Sequence, residues 1–350
     1  MFYLFNDHTE NIKFVIEILI IYIIIKYRHK VQTNIINIPE KIVEKLILDF
    51  KPKKLINKLP LKKYIKKEHN KQFVDLASYD IFNLKNKFKK ECKETISDYG
   101  IGTCGPPNFF GTLDLHRELE IKITQILKTE DTVLYANSYT CIHSIISCFA
   151  SRKDIIYYPF SCNESILRGI SLSKSKCYEY YGIKNLENIF DNFYEPKIRN
   201  FVIVEGLSKN EGKITNLLEL IKLKNKYDFK IILDESLSIP MISKTGIVEL
   251  FKINQNEIDI RIGSFSYGFT SNGGFFTGSK VLCQYQRLSS SSYVFSASLP
   301  GVLTKFNILC LNLEFTYKKL RKKILQFHKN FKSQKFEIIS DKISPIIVFK

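Results

Sequence analysis

Residues 261–278 read RIGSFSYGFTSNGGFFTG. The stretch continues an apolar run, Ile258-Asp259-Ile260-Arg261-Ile262, that has the character of a buried strand end. It then breaks into small and polar residues closed by Gly273-Gly274, the composition of a loop that carries chemistry at the end of a strand. Its most informative feature is an absence. The chain holds 53 Lys and Arg, yet no lysine occurs from Ile253 to Ser279.

Outward from this stretch, strand and helix patterns alternate from Tyr99 onward, the signature of an α/β fold. Short apolar strands are expected at residues 132–136, 155–158, 201–205, 230–233 and 258–262. Leu115, Leu119, Ile123, Ile126 and Leu127 share one face of a helix that Thr112 leads into. Asn216 with Glu219 makes a capping-box-like start for a second helix ending near Tyr227.

The bulk numbers bound the class. With 350 residues, 45% hydrophobic and 13% aromatic, the chain has ample material for a packed core. Its net charge of +18 favours anionic partners, but neither zinc-finger spacing nor an RNP-type strand accompanies it, so nucleic acid is not expected. Eight scattered cysteines, with no C-x-x-C, read as free thiols in a reducing compartment, and no metal site is expected.

The N-terminus carries a membrane candidate, IKFVIEILIIYIIIKY at residues 12–27. Its apolar core is interrupted by Glu17 and is shorter than the roughly 18–20 residues of a full span. Asp7 and Glu10 precede it and Lys26, Arg28, His29 and Lys30 follow, so the positive-inside rule places the body in the cytosol. Residues 1–30 are expected to be the anchor. Residues 31–75 are expected to be a basic connector, with nine lysines from Lys51 to Lys71 suited to an anionic leaflet.

Residues 99–120, YGIGTCGPPNFFGTLDLHRELE, carry the most specific pattern. The series Y-G-x-G-[ST]-x-G followed by G-T-x-x-x-H-x-x-L-E resembles the entry segment of the α-oxoamine synthases, a pyridoxal-phosphate family. Further matches follow in order: FVIVEG at 201–206, ILDESLS at 232–238, QRLS at 286–289 and FSASLP at 295–300. Within the family, Cys104 and the lysine-free loop resemble one branch, the non-catalytic subunits of serine palmitoyltransferases.

The resemblance implies a fold-type-I α/β architecture with a mainly parallel central sheet. It implies a large domain over residues 76–333 and a stub of the C-terminal small domain over 334–350, with active sites at a dimer interface. It also implies a lysine imine to the cofactor, and the position in register here is Tyr267. The histidine stacked on the ring falls on Asn163, a second histidine on Leu237, and a phosphate-loop glycine on Ser138. Asp234 keeps its family type, and Ser264 and Ser266 read as a remnant phosphate loop or as turn serines. No catalytic residue is therefore expected in the chain's own pocket.

The cofactor, pyridoxal phosphate, is expected on a catalytic partner subunit. Tyr99, Gly100, Gly102, Cys104, Gly105 and Ser296 are expected to lie in loops reaching that partner's site. His116 is read as a surface or interface histidine and His143 as a satisfied core residue. The implied function is support of an enzyme that condenses L-serine with palmitoyl-CoA at the endoplasmic reticulum membrane. Two competing readings remain. One is a self-sufficient synthase drawing its lysine from elsewhere, such as Lys280; the other is a basic membrane-surface or nucleic-acid-binding protein reusing the fold.

Overall fold

The computed structural model of the chain describes residues 16–20, 22, 39–49 and 78–350. The chain divides into two compact units, residues 1–74 and 75–350. In the first, residues 16–20 are helical and helix α1 spans Glu40–Asp49. Most of the expected anchor and all nine connector lysines lie outside the described residues. No helix among the described residues is long and apolar enough to cross a membrane.

The second unit is built on a seven-stranded sheet in the order β1-β7-β6-β5-β4-β2-β3. The strands are β1 Asp131–Tyr135, β2 Ile155–Pro159, β3 Lys176–Tyr180, β4 Asn200–Glu205, β5 Lys230–Asp234, β6 Ile260–Ser264 and β7 Gly274–Gly278. Six run the same way; β7 is antiparallel to both of its neighbours, β1 and β6. The sheet is therefore mixed, where the sequence pattern suggested only its parallel part.

Burial explains why the central strands were legible. Every residue of β4 is buried, as expected of a strand covered on both faces. Two strands were not foreseen. At the sheet edge, β3 (KCYEY) shows the solvent much of its length and lacks an apolar run. In β7 (GFFTG) glycines bracket two phenylalanines, one of which explains Gly263. Phe275 pairs with Gly263 across β6 and β7, and a Cβ on Gly263 would lie 2.0 Å from the Phe275 ring.

Helices cover both faces. On one, α2 Lys89–Tyr99 and α3 Asp114–Leu127 pack against α11 Gly301–Leu311, and α6 Ile183–Phe193, α7 Leu217–Lys226 and the short α8 Ile247–Leu250 share one apolar cluster with the strands. On the other, α4 Ser138–Phe149 packs against α5 Glu164–Ser173 over Val133, Ile203, Ile232 and Phe276. The remaining helices are α9 Lys280–Ser289, α10 Ser291–Val294 and α12 Tyr317–Asn330. Asn216 caps α7 by accepting from the Leu218 N–H, as its position suggested.

Residues 337–350 fold back on themselves. Ile338 and Phe349 form an antiparallel bridge, and Asp341 accepts from the Ile214 N–H at 2.7 Å. This tail lies in the same compact unit as the sheet.

Candidate functional site

Six co-directed strands place their carboxyl ends on one side of the sheet, where open α/β sheets hold ligands. Residues leaving five of those ends meet there: Ser138 after β1, Asn163 after β2, Glu205 ending β4, Asp234 ending β5, and Ser266 and Tyr267 after β6.

Two carboxylates form its floor. Glu205 and Asp234 are register partners on adjacent parallel strands, so their side chains leave the sheet on the same face. They are 5% and 4% exposed. Burial pushes the Asp234 carboxyl up to about 6 against the pull of hydrogen bonds from Ser236, whose N–H lies 2.9 Å away. Burial, and then the nearby Asp234 charge, hold Glu205 well above the ordinary carboxylate range. The Asn163 N–H and the Lys209 ammonium draw it down only in part. No arginine or lysine forms an ion pair with either carboxylate among the described residues.

Tyr267 closes the pocket from above. Its ring meets the Tyr79 ring edge-on at 4.9 Å, and its hydroxyl interacts with the Asn163 side chain. Burial raises its phenol. The ammonium of Lys209, an exposed residue, lies 6.0 Å from the ring centroid. Asn163 is also the N-cap of α5, accepting from the Ser165 N–H at 3.3 Å. Leu237 is buried in the apolar cluster that includes Tyr267 at its margin. An open cleft of about 470 Å³ lies beside the floor, lined by Phe160, Tyr181, Glu205, Lys213 and Glu219.

Ser264 and Ser266 belong to a hydroxyl cluster at the start of α4. Ser264 is fully buried and accepts from the Ser266 N–H at 3.0 Å, an ordinary turn contact. Ser266 Oγ meets Ser138 Oγ at 3.1 Å. The first α4 amides are already occupied, because Asn137 Oδ1 accepts from Tyr139 N–H at 2.8 Å and Thr140 N–H at 3.4 Å. Gly274 presses on the same helix start; a Cβ there would lie 2.9 Å from Ser138 Cα.

The two glycine- and serine-bearing loops are pinned to each other. Ser298 N–H donates to Gly105 O at 3.0 Å, and Thr103 Oγ1 donates to Ser298 O at 3.1 Å. Their tips point away from the core: Ile101, Phe109, Phe110 and Phe295 are largely exposed, Phe110 at 94% and Phe295 at 84%. Cys104 is exposed in a left-handed backbone conformation, φ 58°. Gly100 adopts φ 73° as the C-cap of α2, which a residue with a Cβ rarely does. Ser296 is half-buried, and its hydroxyl engages no other group among the described residues.

Both histidine readings need correction. His116 is buried, not superficial: its Nδ1 accepts from the Leu113 N–H at 2.9 Å and its Nε2 meets Leu299 O at 2.6 Å. A carbonyl accepts, so Nε2 bears the proton and Nδ1 serves as the cap of α3, the role foreseen for Thr112. Burial lowers its pKa, consistent with that neutral form. His143 is half-buried and its Nδ1 has no hydrogen-bond partner, so it is not a satisfied core residue. Lys280 starts α9 beyond the far end of β7, which runs opposite to β6. That position is remote from Tyr267, and the lysine's own N–H is bound to Glu130.

Sequence reasoning missed Glu205, Lys209, Tyr79 and Asn137. A charged residue ending an otherwise apolar strand beside the Asp234 strand was the available signal for Glu205; the others are brought in by loops.

A family model described as aminotransferase class I and II matches residues 71–349. The chain belongs to this family. Among curated relatives of this aminotransferase-family chain is "Serine palmitoyltransferase 1" of Dictyostelium discoideum, 36% identical over 247 residues, covering 67% of this chain and 51% of that one. "Long chain base biosynthesis protein 1c" of Oryza sativa subsp. japonica is 34% identical, covering 80% and 61%. "Serine palmitoyltransferase 1" of Saccharomyces cerevisiae is 31% identical, covering 85% and 61%. The chain thus spans about half to three fifths of these relatives' length. The fold is shared with the solved serine palmitoyltransferase of Sphingomonas wittichii, at a TM-score of 0.71 and 21% identity, covering 77% of this chain and 70% of that one. It is also shared with 8-amino-7-oxononanoate synthase of Francisella tularensis, at 0.68 and 21%, covering 79% and 80%.

The aminotransferase-family fold implies pyridoxal phosphate, and the residues gathered here do not fit a covalently held one. Tyr267 brings a phenol, which cannot form an imine, to the pocket; Asn137 already accepts from the first α4 amides, and Asn163 is committed to α5. Asp234 alone has the right chemistry, as a carboxylate suited to a pyridinium.

Proposed function

We propose that the chain is the non-catalytic subunit of serine palmitoyltransferase. On this reading it pairs with a subunit that bears pyridoxal phosphate and condenses L-serine with palmitoyl-CoA to 3-ketodihydrosphingosine. The observation that carries the reading is Tyr267 at the end of β6, a phenol in a pocket whose helix amides are already capped. Relatives named serine palmitoyltransferase 1 and long chain base biosynthesis protein 1c support it. So do the exposed Phe109, Phe110 and Phe295 beside the pinned loops, an apolar surface suited to a second subunit. The N-terminal apolar stretch would anchor the assembly in the endoplasmic reticulum membrane with the body in the cytosol.

The loops give the subunit a part in catalysis without chemistry of its own. Ser296 has an unengaged hydroxyl for the partner's cofactor phosphate, and Cys104 occupies a cramped left-handed turn facing outward. In a reconstituted heterodimer, Ser296→Ala is expected to weaken cofactor retention by the partner roughly 10- to 150-fold, with the dimer intact. Cys104→Trp is expected to change the use of serine against alanine. Wild-type behaviour of both variants in an intact dimer would show that these loops do not reach the partner's site.

A further inference from the structure

Helix α12 and the turn after it carry a charge pattern that the proposed function does not use. From Phe315 to Phe336 there are seven lysines and one arginine and no acidic residue; Glu314 and Glu337 bracket the segment. Helices α2, α3, α6 and α7 instead interleave acidic with basic residues, as solvated faces do. The inner side of α12 is fixed to the body. Ile324 is buried, and Arg321 donates to Ile242 O at 3.2 Å. At 100° per residue, Lys318, Lys319, Lys322, Lys323 and Lys329 then fill roughly 140° of arc on the opposite side, and all five are exposed. None of them is in an ion pair among the described residues.

Apolar side chains flank this stripe. Leu325 borders one side and Phe327 the other, 46% and 44% exposed. At the helix end Phe327 stacks on Phe331 at 5.7 Å, Phe331 meets Phe349 at 5.0 Å, and Phe336 and Phe349 remain exposed beside Lys332 and Lys335. The geometry points to α12 and its C-terminal aromatic cluster as a docking surface for an anionic lipid bilayer. Lysines would meet headgroup charge while Leu325 and the phenylalanines enter the acyl boundary. A nucleic-acid backbone would use the lysines equally but offers nothing to an exposed Leu325, so the rim of apolar residues selects the lipid surface.

The chain contains no tryptophan, so one introduced residue gives a local signal that the N-terminal stretch cannot mimic. The full chain carrying Leu325→Trp, with Phe336→Trp as an independent second probe, is mixed with phosphatidylcholine vesicles with or without phosphatidylserine. The expected result is blue-shifted emission, quenched by brominated acyl chains, on the anionic vesicles only. Adding Lys318→Gln, Lys322→Gln, Lys323→Gln and Lys329→Gln should weaken that response roughly 100-fold, at about fivefold per lysine with incomplete additivity. High salt should weaken it likewise. An unshifted signal from both probes while the chain is on the vesicles would overturn the proposal. So would an equal shift on neutral vesicles, or saturable binding of RNA by the lysine stripe without a lipid response.

Discussion

Two clusters of buried charge lie one residue apart at the end of β5, and the chain treats them in opposite ways. Glu235 and Arg261, 0% and 1% exposed, form an ion pair at 3.2 Å on one side of the sheet. Glu235 also accepts from the Ile247 N–H at 3.0 Å and from Ser238 Oγ, while Arg261 donates to Thr245 O and to Gln255. On the other side Asp234 and Glu205 are equally buried, alike in sign, and without a cation in an ion pair among the described residues. The first cluster ties the turn before α8 to the sheet and is nearly complete in its hydrogen bonds. The second has no ion-paired counter-charge among the described residues, only the exposed Lys209 ammonium acting on Glu205 from nearby. The contrast separates what holds the frame from what a ligand would have to complete.

The frame should be the most sensitive to injury. Arg261→Met leaves Glu235 buried and unpaired and is expected to cost about 3–5 kcal/mol in denaturant unfolding. Adding Glu235→Leu should recover much of that loss, since a buried pair replaced whole by apolar residues is often near neutral. If the double variant is as unstable as the single, the pair is not the unit described here.

The pocket should respond with the opposite sign. Asp234 has a folded-state pKa of about 6 against 3.8 for the free side chain, so the folded chain holds more protons across that interval. Stability from this group is then present at low pH and falls as pH rises from about 4 to about 6. Asp234→Asn should stabilise the chain at neutral pH by roughly 2–3 kcal/mol and flatten that slope. A loss of stability on this substitution would mean that a bound cation already completes the pocket.

A smaller effect tests the frame of the two pinned loops. His116→Ala removes the α3 cap and the bond to Leu299 and should cost about 1–2 kcal/mol. Because burial lowers the His116 pKa, the wild-type contribution should fade as pH drops below the ordinary value of 6.5 and be absent in the variant. An unchanged pH profile would assign the cap to another group.

The sequence made the frame legible and the pocket only by analogy. Continuous apolar runs marked β4 and β5 because both faces of those strands are covered, and Asn216 marked its helix through a local hydrogen bond. The edge strand β3 and the reversed β7 escaped because neither has an apolar run of its own; β7 is held by its partners and by the fit of Phe275 over Gly263. Within the pocket lie Tyr267, Asn163 and Asp234, three positions that only the family resemblance had singled out. Glu205, Lys209 and the Asn137 cap were not legible, since their roles depend on register between strands and on loop paths that no local pattern encodes. His116 was misread for the same reason: its partner, Leu299, is 183 residues away.

On the proposed function Tyr267 stands where a cofactor-bearing amine would be needed, and Lys209 is the one ammonium placed over its ring among the described residues. The direct measurement is to incubate the purified full chain with pyridoxal phosphate, reduce with borohydride, and map modified lysines by peptide mass spectrometry, alone and with the catalytic partner. The expected result is no stoichiometric pyridoxyl group on any lysine of this chain and one on the partner. A stoichiometric adduct on Lys209 or any other lysine of the chain, lost when that residue is changed to methionine, would contradict it.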